Sequence, residues 1–171
     1  KKFDERTKIE FLNELRKKNR NSNLSYNPSI ILKEFSKNKK IADLLPLSGL
    51  SKTLIVDCNE SGTFSTFKSD RYGFNNLDSI YEKKGKKVIL IGDSFVQGQC
   101  VNQKNTIAYK LNEKGYNTIS LGLAGNGPLL ELAILKEYGL KLNPSKIIWF
   151  FFENDIRDLE KNSKSEILKM Y

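Results

Sequence analysis

Val88-Ile89-Leu90-Ile91-Gly92-Asp93-Ser94 sets the architecture expected of everything downstream. Four apolar residues, three of them β-branched, run into a glycine, an acid and a serine. That pattern predicts a buried parallel strand, ending in a tight turn that lifts a hydroxyl out at the strand's C-terminal edge. Ligands of open α/β sheets bind just beyond such edges. Two more stretches repeat the theme. Thr118-Ile119-Ser120-Leu121 runs into Gly122-Leu123-Ala124-Gly125-Asn126-Gly127, and Ile147-Ile148-Trp149-Phe150-Phe151-Phe152 runs into Glu153-Asn154-Asp155. A serine hydroxyl, a glycine-rich backbone and an amide are therefore expected at one rim.

Helical patterns separate these strands. Ile107, Ala108 and Leu111 share one face of a segment that stops at Gly115. Pro128 opens another, with Leu129, Leu132, Ala133 and Leu135 apolar, ending near Gly139. Two consecutive β-α-β units imply a parallel sheet. A charged stretch from Arg157 to Lys169 reads as a further helix. Upstream the signals are weaker. Residues 3–19 carry a loose apolar face and predict a helix that Asn21-Ser22-Asn23 ends. Asn27 caps a second short helix opened by Pro28. Residues 40–52 read as an irregular apolar connection, and 53–58 and 63–68 as two strands joined by Asn59-Glu60-Ser61-Gly62. The expected organisation is an N-terminal helical extension with a β-hairpin over 1–85, carrying no obvious chemistry, and an α/β unit over 86–171.

A chain of 171 residues, 39% hydrophobic, is long and apolar enough to bury a core. Its net charge of +9 comes from 29 basic and 20 acidic residues. The lysines are spread through every segment and no nucleic-acid-binding motif accompanies them, so a solvated surface is expected and no nucleic-acid partner. Cys58 and Cys100 are the only cysteines; they could pair in an oxidising compartment or remain two buried thiols. With no histidine in the sequence, a zinc or other soft-metal site is not expected, nor any cofactor. The longest apolar run, Ile147 to Phe152, has six residues, far short of a membrane span. The first residue is Lys1 instead of methionine, which leaves room for an upstream signal peptide or membrane anchor.

Taken singly, the rim motifs are weak. Gly92-Asp93-Ser94 alone reads equally as a helix N-terminus with Asp93 or Ser94 as its cap. Gly122, Gly125 and Gly127 have the wrong order for a dinucleotide fingerprint, and no phosphate-binding loop motif is present. Asn154-Asp155 alone reads as another cap. Taken in order, the three strand ends resemble the SGNH (GDSL-like) hydrolase superfamily, over roughly residues 86–159. Ile89 to Gly98 resembles its first block, Ala124-Gly125-Asn126-Gly127 its second and Phe152 to Asp155 its third. Ser69-Asp70-Arg71-Tyr72-Gly73-Phe74-Asn75-Asn76 resembles a segment preceding the first block in bacterial envelope-type members.

The resemblance implies a flavodoxin-like three-layer α/β/α fold and a serine esterase, acyl hydrolase or acyltransferase. Ser94 would attack an ester carbonyl. The Ser94 and Gly125 N–H groups and the Asn154 amide would stabilise the oxyanion, with Gly92, Asp93 and Asp155 in support. A serine hydroxyl needs a base before it is a good nucleophile, and donors preset at the developing charge contribute roughly 3–4 kcal/mol each. Two departures stand out. The third block reads Glu153-Asn154-Asp155, whereas the family usually has glycine two before the aspartate. The fourth block, a D-x-x-H that supplies the base and its orienting acid, is missing, and neither Asp155 nor Asp158 can replace a histidine.

Three explanations follow. The chain is an N-terminal portion of a longer hydrolase, or an SGNH-like domain that lost catalysis and binds a glycan or partner, or an unrelated α/β binding module. The expected substrate is an O-acyl ester, O-acetyl first, on a small molecule or polysaccharide. The expected location is the periplasm or cell envelope, with the cytoplasm as alternative. In the family's strand order, 2-1-3-4-5, the third strand is central and buried on both faces. Without a fourth strand its far edge would be bare, predicting low stability, self-association or a covering segment from elsewhere.

Overall fold

The computed structural model describes residues 3–35 and 45–171. The described residues form a mixed α/β structure with two three-stranded sheets. The first sheet holds β1 (Ser22–Leu24), β2 (Leu54–Val56) and β3 (Thr66–Lys68), with β1 parallel and β3 antiparallel to β2. The second holds β4 (Val88–Ile91), β5 (Thr118–Ser120) and β6 (Lys146–Trp149), all parallel, in the order β5-β4-β6.

The N-terminal unit departs from the sequence reading in three ways. The first helix, α1 (Lys8–Lys18), begins later than residue 3, because Thr7 and Glu10 form a reciprocal capping box. Asn21-Ser22-Asn23 does more than end α1. It leads into β1, a strand whose polar residues hide it from any hydrophobic pattern; Leu54 N–H donates to Asn21 O, and Ser25 N–H to Val56 O. The expected 53–58 and 63–68 strands pair antiparallel but shrink to three residues each. The second helix, α2 (Pro28–Phe35), starts at Pro28 as expected. Residues 40–44 of the expected 40–52 connection lie outside the described residues.

In the second unit, alternation along β4 separates two apolar clusters. Ile89 and Ile91 join Ile119, Leu121 and the inner residues Leu130, Ala133 and Ile134 of α5 (Pro128–Ile134). Leu90 instead meets Val96 of α3 (Ser94–Gln97) and Ala108 of α4 (Ile107–Glu113). Helices thus lie against both faces of the parallel sheet. Each fully buried Leu or Ile of this kind contributes about 1.5–3 kcal/mol. The charged C-terminal stretch forms α6 (Asn154–Asn162) and α7 (Glu166–Lys169), both packed on α5.

The third strand is not buried. It spans 146–149 instead of 147–152, lies at the sheet's edge with β4 as its neighbour, and leaves Ile147 through Phe152 all exposed. Apolar composition signals what a strand requires, not what this chain places against it.

The two cysteines form a disulfide, Cys58–Cys100, joining the turn after β2 to the segment after α3. Disulfides belong with oxidising compartments. Among the described residues, no helix is long and apolar enough to cross a membrane.

Candidate functional site

All three candidate loops leave the C-terminal ends of β4, β5 and β6, so the parallel pairing alone brings them to one rim. After β4, Gly92 makes the turn close. A side chain there would collide with Val96 Cγ2 at 2.5 Å and press on Phe150 Cβ at 3.2 Å. Asp93 accepts from Phe95 N–H at 3.0 Å and caps α3, so the capping reading of this tripeptide holds for Asp93. Ser94 is the first residue of that short helix and is half-buried. Among the described residues its hydroxyl makes no hydrogen bond.

The second loop is pressed onto α3. A side chain at Gly122 would meet the Gln97 backbone nitrogen at 2.5 Å. The buried Gln97 side chain accepts from Ala124 N–H, and the buried Ser120 hydroxyl donates to Val96 O at 2.7 Å. Gly125 adopts φ +77°, a conformation that favours glycine. Its nearest neighbours come from the N-terminal unit, Ser29 Oγ at 2.9 Å and Asn27 Nδ2 at 3.9 Å from the position of a Cβ. Residues 1–85, expected as an extension without obvious chemistry, thus contribute to the rim through the start of α2. Asn126 is fully buried, and among the described residues neither its side-chain nitrogen nor its oxygen is paired.

The third loop is anchored to the first. Phe150 N–H donates to Ile91 O at 2.8 Å, and the Phe95 and Phe152 rings pack with centroids 5.1 Å apart. Asp155 accepts from Phe152 N–H at 2.6 Å and fixes the start of α6. Asn154, half-buried at the first position of α6, donates its amide to Asp158 Oδ2 at 3.2 Å. One of its two amide hydrogens is therefore engaged away from any oxyanion.

Acid density at this rim exceeds what the motifs announced. Glu131, on α5, is 1% exposed and accepts from Trp149 Nε1–H at 2.6 Å, while its other oxygen has no partner among the described residues. Burial pushes its carboxyl up to about 8, and the charges of Asp155, Asp93 and Asp158 add to the rise against the Trp149 hydrogen bond. Asp155 is raised as well, by burial first and then by Asp93 and Asp158. Glu131 and Ser29 carry no motif, Gln97 lies inside the first block without a role of its own, and Asn27 reads only as a helix cap; their neighbours in the fold are what bring them to the rim.

The cysteine sulfurs lie within 4.8 Å of a Glu60 carboxylate oxygen, but they are bonded to each other and offer no thiolate. A cavity of about 180 Å³ lies elsewhere, at the outer edge of β5, lined by Asn76, Ile80, Thr106, Tyr109 and Asn112. It belongs to the sheet edge, not to the Ser94 rim. No protein-family model, no curated protein and no solved structure matches this chain.

Proposed function

We propose that this chain carries the nucleophile and oxyanion half of an SGNH-type serine ester hydrolase or acyltransferase, acting on an O-acetyl or related O-acyl ester, with a glycan as carrier, in the cell envelope. Ser94 is the nucleophile; Ser94 N–H, Gly125 N–H and the Asn154 amide are the oxyanion donors. Gly92, Asp93 and Asp155 hold the loops. The observation that carries this reading is that the loops bearing Ser94, Gly125 and Asn154 leave adjacent parallel strands in the order β5-β4-β6. That order matches the 2-1-3 portion of a flavodoxin-like sheet. Helices on both of its faces fit the three-layer arrangement, and the disulfide fits the envelope. None of the 171 residues is a histidine, so the base on this reading is not a histidine of this chain.

Added imidazole supplies the missing base. The chain alone should barely hydrolyse p-nitrophenyl acetate, and imidazole should accelerate hydrolysis beyond its own solution rate, with transient acetylation of Ser94 seen by mass spectrometry. Ser94→Ala should abolish the excess, and Asn154→Ala should lower it by about a hundredfold, the scale of one lost oxyanion donor. Excess turnover unchanged by Ser94→Ala would overturn the assignment. The Asn154–Asp158 hydrogen bond favours a second reading, a catalytically inactive domain that binds an acylated glycan or a protein partner. Under that reading imidazole produces no Ser94-dependent turnover at any concentration.

A further inference from the structure

Lysines that are dispersed in the sequence are gathered by the fold. The parallel strands β4, β5 and β6 all enter the sheet at one pole and leave it at the other. The three turns that lead in, 83–87, 114–117 and 140–146, hold seven lysines and no acid. The three that lead out, 92–94, 122–127 and 150–155, hold Asp93, Glu153 and Asp155 and neither lysine nor arginine. Backbone bonds draw the entry turns together: Val88 N–H donates to Asn117 O at 2.8 Å, and Ser145 N–H to Lys87 O at 2.9 Å. The Asn117 amide also donates to Lys83 O at 3.4 Å.

Nearby acids do not neutralise this pole. Glu82 pairs with Arg71 at 2.7 Å, Glu113 with Lys110 at 2.9 Å and Glu137 with Lys141 at 3.0 Å. Lys83, Lys84, Lys86, Lys87, Lys114 and Lys146 are left without an ion pair among the described residues. All but Lys87 are exposed. Two apolar side chains stand among them, Tyr116, 56% exposed in the turn into β5, and Leu140, 50% exposed in the turn into β6. The order β5-β4-β6 sets the lysines of 83–87 between those two. On the β5 side the sheet goes no further. The Asn76 amide donates to Ser120 O and accepts from Ser120 N–H, both at 2.8 Å, and Asn112 does the same for Thr118, at 2.7 and 2.8 Å. Each amide makes the pair of bonds that a neighbouring strand would make. A strand added beside β6 lengthens the pole sideways and leaves the turns into β5 and β4 at its end.

Unpaired cations around an aromatic and an aliphatic side chain are the two components of a membrane-surface contact: charge for anionic headgroups, apolar groups for the boundary beneath them. We propose that this pole docks the chain on an anionic phospholipid surface, with Tyr116 and Leu140 entering the headgroup layer and the Ser94 rim held at the far end of the sheet. A soluble polyanion answers the lysines but gives Tyr116 and Leu140 no role. The acids of the rim reinforce the orientation, since the same surface repels them. The docking does not rest on ester chemistry and holds whether or not Ser94 is a nucleophile.

Cosedimentation of the chain with lipid vesicles tests it. Phosphatidylcholine vesicles carrying about 30% phosphatidylglycerol should bind the chain, pure phosphatidylcholine should not, and added salt should release it. Each lysine near such a surface tightens binding about fivefold, so Lys84→Gln with Lys86→Gln should weaken it about twenty-five-fold. Lys114→Gln with Lys146→Gln, in the flanking turns, should match that loss. Lys17→Gln with Lys18→Gln removes the same charge from α1, which packs on the first sheet, and should weaken binding less than about twofold. Tyr116→Ser with Leu140→Ser should weaken vesicle binding about tenfold and leave binding to soluble polyphosphate unchanged. All these positions are exposed, so each variant should keep the parent far-ultraviolet circular dichroism. A parent that ignores anionic vesicles at low salt overturns the proposal, as do equal losses from the pole and α1 lysine pairs. Vesicle binding indifferent to Tyr116 and Leu140 overturns it too, and assigns the lysines to a polyanionic chain instead.

Discussion

Burial, with the nearby charges of Asp155, Asp93 and Asp158, lifts the Glu131 carboxyl from 4.5 to about 8. Between those values the folded protein keeps a proton that the unfolded chain has released. Stability therefore falls as pH rises through that window, at up to about 1.4 kcal/mol per pH unit, and levels off above the folded value. Glu131→Gln removes the titration and keeps an oxygen to accept from Trp149 Nε1–H. The expected result is a urea midpoint close to the parent's near pH 5 and clearly above it near pH 9. Parallel pH profiles for parent and variant would mean that Glu131 is ionised in the fold. Asp70 is the contrasting residue. Burial raises its carboxyl too, yet Tyr72 and Phe74 N–H, the Asn76 amide and the Tyr81 hydroxyl all donate to it. Asp70→Ala would leave those donors unpaired, with an expected loss of about 2–4 kcal/mol in chemical denaturation. A loss under about 0.5 kcal/mol, the level of an ordinary surface substitution, would show that the four bonds are replaceable by water.

The edge-closing asparagines show how an element depends on residues far from it in sequence. Asn76 and Ser120 are 44 positions apart and fully enclosed, so Asn76→Ala strands a buried N–H and a buried carbonyl together. We expect a loss of about 2–4 kcal/mol, since each unpaired buried group costs about 1–3 kcal/mol, and a smaller loss for the half-buried Asn112→Ala. Urea denaturation at matched protein concentration measures both; equal, negligible losses would mean that the β5 edge needs no cap. None of this was legible beforehand. Asn75-Asn76 stood out only as part of a resembling segment, because a side chain that imitates a strand leaves no periodic trace. The strands β4 and β5 and the helices α4 and α5 were legible, since apolar runs ending in glycine have few alternatives; of β6 the existence and the parallel direction were legible, its extent and exposure were not. β1 was not, because Ser22 and Asn23 are polar and its pairing is with residues 32 positions on. At the rim, Ser94, Gly125 and Asn154 could be named from local motifs. Glu131 could not, because burial and contact alone distinguish it, and Gln97, although inside the first block, had no local signal of its contact with Ala124.

At the scale of the whole molecule, the N-terminal unit is fastened to the parallel sheet at several points. Asn75 donates its amide to Gln97 O at 2.9 Å, the 125 loop lies against Ser29, and Asp57 accepts from Cys100 N–H at 2.9 Å. The Cys58–Cys100 bond fixes the last of these covalently. It closes a loop spanning 42 positions, and a loop of that length loses enough unfolded-state entropy for a stabilisation of about 2–4 kcal/mol. Cys58→Ser with Cys100→Ser should lower stability by that amount in urea. The two units share core residues: Leu47, Phe74 and Ile80 from the first lie in one cluster with Ile89, Ile119 and Leu130 from the second. The double variant should therefore still unfold in one transition, at a lower midpoint. Intrinsic fluorescence follows Trp149 at the sheet edge and circular dichroism follows both units, so coincident curves from the two probes are the expected result. Separated curves would show that the disulfide, and not the shared core, makes the two units one cooperative body.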